Sequence, residues 1–124
     1  MGTLLAVDLG TSYIKSAVLD MEALSITRVH RVPFPEPIAG LADLFCEIDP
    51  VGIAHDTRQL IAALLPHAPA CAGIVTCGQM GGLVLTDEQG APHSNYISWR
   101  DQLLLMRQPS GAGTFWDHLQ RRPI

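Results

Sequence analysis

The chain opens with a short, mostly apolar run, Thr3 to Val7, that ends on Asp8. A second run with partial alternation, Tyr13 to Leu19, follows across Gly10-Thr11-Ser12. This pattern predicts a strand, a tight turn and a strand. Asp20 to Ala23 reads as another turn, and Ser25 to Phe34, alternating loosely through Ile26, Val29 and Val32, as a third strand. The expected opening is an antiparallel three-stranded meander.

Pro33 to Asp49 holds prolines and a glycine with little periodicity, which predicts an irregular surface connection. Asp49-Pro50 then supplies an N-cap followed by proline at the first helical position. Ile53, Thr57, Leu60, Ile61 and Leu64 recur at helical spacing up to Leu65, because Pro66 and Pro69 cannot continue a helix. Ala72 to Cys77, fully apolar apart from Thr76 and closed by Gly78, predicts a buried central strand. Gly82 to Thr86, the turn Asp87-Glu88-Gln89-Gly90 and Asn95 to Trp99 predict a hairpin or a strand pair with a longer return. Asp101 to Arg107 is weakly helical, residues 109–113 form a loop, and Thr114 caps a helix over Thr114 to Arg121. The abrupt close at Arg122-Pro123-Ile124 leaves that helix little to pack against, so the chain is expected to be an incomplete piece of a larger fold.

Composition narrows the function classes. With 124 residues, 48% of them apolar and 16% charged, one compact domain is expected. A net charge of -4 with scattered Lys and Arg argues against a nucleic-acid partner. No stretch reads as a signal peptide or as a membrane span of about 20 apolar residues. Cys46, Cys71 and Cys77 have neither metal-ligand nor redox spacing, so a reducing cytoplasm fits best, and Cys77 is expected to be a small buried hydrophobe rather than a nucleophile. The five histidines are dispersed without ligand spacing.

Asp8-Leu9-Gly10-Thr11-Ser12-Tyr13-Ile14-Lys15 carries candidate chemistry. Gly10 lets a backbone approach closely, while exposed amides and the Thr11 and Ser12 hydroxyls can donate to phosphate oxygens. Lys15 adds a point charge, and Asp8 offers an oxygen to magnesium through the ion's retained waters. An ordinary hairpin turn would explain glycine and small hydroxyl residues equally well. The leading acid and the following lysine favour a phosphate site. Neither a Walker-type nor a dinucleotide-binding glycine motif occurs after the first strand.

This segment resembles the first phosphate motif of the actin, heat-shock-chaperone and sugar-kinase superfamily. Residues 77–90, from Cys77-Gly78-Gln79-Met80-Gly81-Gly82 through Asp87 to Gly90, followed by Asn95-Tyr96-Ile97-Ser98-Trp99-Arg100-Asp101, resemble the FGGY carbohydrate kinases, xylulokinase-like members in particular. Glu47-Ile48-Asp49-Pro50 belongs to the same likeness. Two positions depart from the family pattern. Gly81 stands where xylulokinase-like members usually carry His, and Leu103 where an Arg often follows, so xylulose is not implied.

The resemblance implies a ribonuclease-H-like (actin-like ATPase) α/β domain with a mixed sheet, present here as a partial N-terminal domain over residues 1–124. It implies ATP and Mg2+ as cofactors, held by Asp8, Gly10, Thr11, Ser12 and Lys15, with Asp8 toward the metal. It also implies a sugar or polyol substrate met by Gln79, Met80, Gly81, Trp99, Arg100 and Asp101; a homodimer is compatible with it. The family's catalytic base is an Asp further along than this chain reaches, so the isolated chain is expected to be inactive. Taken alone, Trp99 and Met80 could equally be core residues, and Arg100 with Asp101 a solvated ion pair. A non-catalytic binding or assembly module derived from such a kinase, or an actin- or chaperone-like ATPase fragment, are the competing readings.

Overall fold

A computed structural model describes residues 2–121, so Arg122-Pro123-Ile124 and the reading of the chain's close lie outside the described residues. The described residues form two compact units, one made of residues 2–36 and 49–80, the other of 37–48 and 81–121.

In the first unit, β1 (Thr3–Leu9), β2 (Tyr13–Asp20) and β3 (Ser25–Pro33) pair antiparallel in succession, and β5 (Ile74–Gly78) adds parallel to β1. The strand order is β3-β2-β1-β5. A parallel neighbour requires a crossover, and α1 (Pro50–Leu64) lies on that path. Asp49 caps α1 by accepting the Val51 amide at 2.9 Å, with Pro50 at the first turn, as its sequence predicts. Pro66 then allows only a 3-10 turn, Leu65–His67.

Alternation in β1 and β2 sends Leu5, Val7, Ile14 and Val18 to the helix side. There Leu5, Val18, Leu64 and Ala68 form a core, with Ile61 and Cys71 against it. Ser16 is buried there too, and among the described residues its hydroxyl finds no hydrogen-bond partner. Opposite Ala17 the β2–β3 register slips: Val18 pairs Thr27 and Ser16 pairs His30, so Arg28 and Val29 share one position. Arg28 takes φ 51 in this bulge. The extra residue puts Ile26 and Val29 on one face despite their odd spacing. With Ala6, Asp8, Lys15, Ala17, Val75 and Cys77 they line an open hollow of about 420 Å³ on the sheet face away from α1.

The apolar run expected as a buried central strand forms β5, but at the sheet edge. Ile74 and Val75 are 48% and 45% exposed. β1 takes the central place because it pairs on both sides, and among the described residues nothing covers the outer side of β5. An apolar run reports affinity for a core but not which strand fills the middle.

In the second unit, β4 (Glu47–Ile48) pairs antiparallel with β6 (Tyr96–Ile97). The expected hairpin shrinks to isolated bridges, Leu83 with Ile97 and Thr86 with Pro92. Its turn is well made, since the Asp87 carboxylate accepts the Gln89 and Ala91 amides and Gly90 takes φ 82. A 3-10 turn occupies Leu103–Leu105, where weak helicity is predicted. The α2 helix (Phe115–Gln120) begins with a capping box between Thr114 and Asp117. Among the described residues no helix is long and apolar enough to cross a membrane.

Candidate functional site

β1 and β5 run parallel, so the segments that follow them leave the sheet at the same edge, with Asp8 beside Cys77 and Leu9 beside Gly78. Carboxyl ends of parallel strands are where open α/β sheets place ligands. The antiparallel ladder sets Lys15 opposite Asp8, and Nζ lies 3.6 Å from Oδ2. Between them Gly10 to Ser12 turn the chain. A Cβ on Gly10 would stand 2.9 Å from the Tyr13 carbonyl oxygen, closer than side chains approach, so the turn needs glycine. The Phe34 amide donates to the Ser12 carbonyl at 3.0 Å and ties the loop to the end of β3.

Two side chains at the end of β5 also reach this loop. The Cys77 thiol donates to Asp8 Oδ1 at 3.4 Å, and the Gln79 amide nitrogen donates to the Gly10 carbonyl at 3.1 Å. Cys77 is exposed, against the expectation of a buried hydrophobe, because the edge position of β5 leaves its side chain on the open face. The hydrogen bond to Asp8 pushes its thiol pKa up, with desolvation adding to this, so the sulfur stays protonated and able to donate.

Arg31 is a residue that the sequence reading missed. It pairs with Lys15 across β2–β3, and its guanidinium lies 4.7 Å from the Tyr13 ring centroid, a cation–π contact on the strand that leaves the loop. Only register brings it there; its separation along the chain gives no sign.

The residues expected to meet a sugar divide between the units. Gln79 and Met80 end the first, while Gly81, Trp99, Arg100 and Asp101 belong to the second. Met80 is 93% and Trp99 54% exposed, so neither packs into a core among the described residues. Gly81 takes φ 80, and a Cβ there would lie 3.3 Å from Trp99 Cβ, so this backbone disfavours the histidine usual at that place. Among the described residues no ion pair joins Arg100 to Asp101. Instead, the Asp101 carboxylate accepts the Cys46 amide at 2.7 Å and the Leu103 amide at 2.8 Å, holding Trp99's segment by its backbone. Beside it Asn95 donates to Glu47 at 2.8 Å, and burial pushes the Tyr96 phenol pKa up.

Among the described residues no group of three metal-ligating side chains converges. The donor set at the loop is one half-exposed carboxylate beside turn amides and hydroxyls. It would suit a magnesium ion that keeps most of its waters.

Comparison with known proteins decides the relationship. Residues 3–104 match the model of the N-terminal domain of the FGGY family of carbohydrate kinases. The chain belongs to that family. A gluconate kinase from Lactobacillus acidophilus superposes on this FGGY chain with a TM-score of 0.71 at 21% identity, over 82% of this chain and 20% of the other. A xyloylose kinase from Brucella ovis gives 0.68 at 29% identity, over 80% and 21%. A xylulose kinase from Lactobacillus acidophilus gives 0.70 at 22% identity, over 82% and 20%. This FGGY chain thus spans about a fifth of the length of these proteins. No curated protein matches it.

Proposed function

We propose that this chain is the N-terminal portion of an ATP-dependent sugar or polyol kinase, with a ribonuclease-H-like domain whose β1–β2 loop holds the nucleotide's phosphates. The observation that carries this reading is the pairing of Asp8 with Lys15 at the two ends of a glycine turn, beside the carboxyl ends of β1 and β5. Phosphoryl transfer needs positioned phosphates, neutralised charge and a base for the acceptor hydroxyl. In this reading Lys15 and the amides and hydroxyls of Gly10 to Ser12 hold the phosphates. Asp8 would hold a magnesium ion, which when bound would supply neutralisation of charge on the phosphates. Within the second unit, Gly81, Trp99, Arg100 and Asp101 are assigned to the acceptor sugar, for which Trp99 offers an apolar face. Free thiols at all three cysteines support a reducing, cytoplasmic setting.

The base is assigned to an Asp outside these residues, so the chain alone binds phosphate without turning over. Titration with magnesium and ATP tests the binding: wild type responds and Asp8→Ala responds more weakly. Equal responses sink the phosphate-loop assignment. Steady sugar-dependent ADP release from the 124-residue chain would refute the claim of inactivity.

A further inference from the structure

The loop between β1 and β2 is short, exposed and rich in backbone groups, so its amides present a fixed pattern to a ligand only if the loop itself is held. Hydrogen bonds of the β1–β2 ladder stop at Leu9 and Ile14. Beyond them the Phe34 amide fixes the Ser12 carbonyl. The other half of the turn is reached from β5, where the half-buried Gln79 donates to the Gly10 carbonyl at 3.1 Å across 69 positions of sequence. The chain direction of β5 makes this possible, since Leu9 and Gly78 are register partners and the next residues emerge side by side.

We propose that Gln79 is a positioning residue for the phosphate loop: its side-chain amide latches the Gly10 carbonyl and so sets the direction of the amides that follow. This inference rests on the phosphate-binding reading of the loop and adds to it a role for a residue otherwise assigned to the sugar. A carbonyl held from outside the turn cannot swing toward the ligand, where its negative end would repel phosphate. Cys77, two residues earlier, fastens Asp8 in the same way, so the end of β5 grips both the acid and the turn.

The test uses Gln79→Met, which keeps length and shape but loses the donor, and Gln79→Glu, which turns the donor into an acceptor. Backbone 15N relaxation in the 124-residue chain reads the latch without any ligand. Order parameters at Gly10 to Tyr13 are expected to fall from about 0.85 to below about 0.6 in both variants, with α1 amides unchanged. Magnesium tripolyphosphate, followed by the shifts of the same amides, reads the consequence, and its affinity is expected to fall several-fold in both variants. Unchanged loop order parameters in Gln79→Met, or equal probe affinity despite a looser loop, overturns the proposal. A wild-type chain that ignores the probe removes the phosphate reading itself, and the positioning role falls with it.

Discussion

Asp8 and Lys15 stand opposite each other across β1 and β2, with carboxylate and ammonium 3.6 Å apart and their side chains 42% and 52% exposed. An ion pair this wet contributes at most about 1 kcal/mol to folding. Asp8→Asn is therefore expected to leave the thermal midpoint within a few degrees of wild type. Its affinity for magnesium triphosphate should fall about tenfold, the scale of a lost charged interaction. Calorimetry and titration on the same samples separate the effects, and a large loss of stability would mean that the pair is structural.

Leu64 is fully buried among Leu5, Val18 and Ala68. Leu64→Ala should cost about 2–5 kcal/mol, the range for leucine deletions in cores that relax incompletely. Urea unfolding measures it. A cost below about 1 kcal/mol would show that the core around α1 closes over the gap.

Gly82 takes φ 88, and a Cβ there would lie 2.6 Å from the Tyr96 hydroxyl oxygen and 2.7 Å from a ring carbon. Backbone strain and overpacking combine in Gly82→Ala, each on the order of 1–3 kcal/mol. The prediction is loss of the Leu83–Ile97 bridge, read as faster exchange of those amides, while α1 stays protected.

The Asp117 carboxylate accepts the Thr114 backbone amide at 2.7 Å and its hydroxyl at 2.9 Å; these bonds, the amide first, hold its pKa below the usual 3.8. A depressed folded value means that the contribution is complete above 3.8 and fades as pH falls through the lower folded value. Helical chemical shifts of Phe115 to Gln120 should thus decay only on acidification past that range. Asp117→Asn should weaken the helix at neutral pH and flatten its acid response; a wild-type transition near neutrality would contradict this.

Local chemistry was the legible part of the sequence. The Asp49-Pro50 cap, the Thr114 cap and the Asp87 turn involve groups within four residues of each other, and each forms where its residues predict. Long-range order was less legible. The apolarity of Ala72 to Cys77 points to a central strand, yet β5 lies at an edge with Cys77 exposed. The Asn95 to Trp99 segment spends Tyr96 and Ile97 on β4 rather than on a full hairpin. At the site, Asp8, Gly10 and Lys15 were within reach of a motif, since a tight turn enforces their proximity. Arg31 beside Tyr13 and Gln79 on Gly10 depend on strand register, which spacing along the chain does not encode.

The parallel pairing of β1 with β5 also has a bearing on the order of assembly. Asp8 and Lys15 meet through one tight turn, whereas Leu5 finds Ile74 only after a long stretch of chain has been closed into a loop. Closure entropy grows with that length, and non-local contacts are correspondingly late. Pulse-labelled amides during refolding should gain protection at the β1–β2 ladder before β5 does. The acid and the lysine would then face each other before the cysteine that bonds the acid and the glutamine that bonds the turn arrive, and the loop would spend the first part of its life as an ordinary, mobile hairpin.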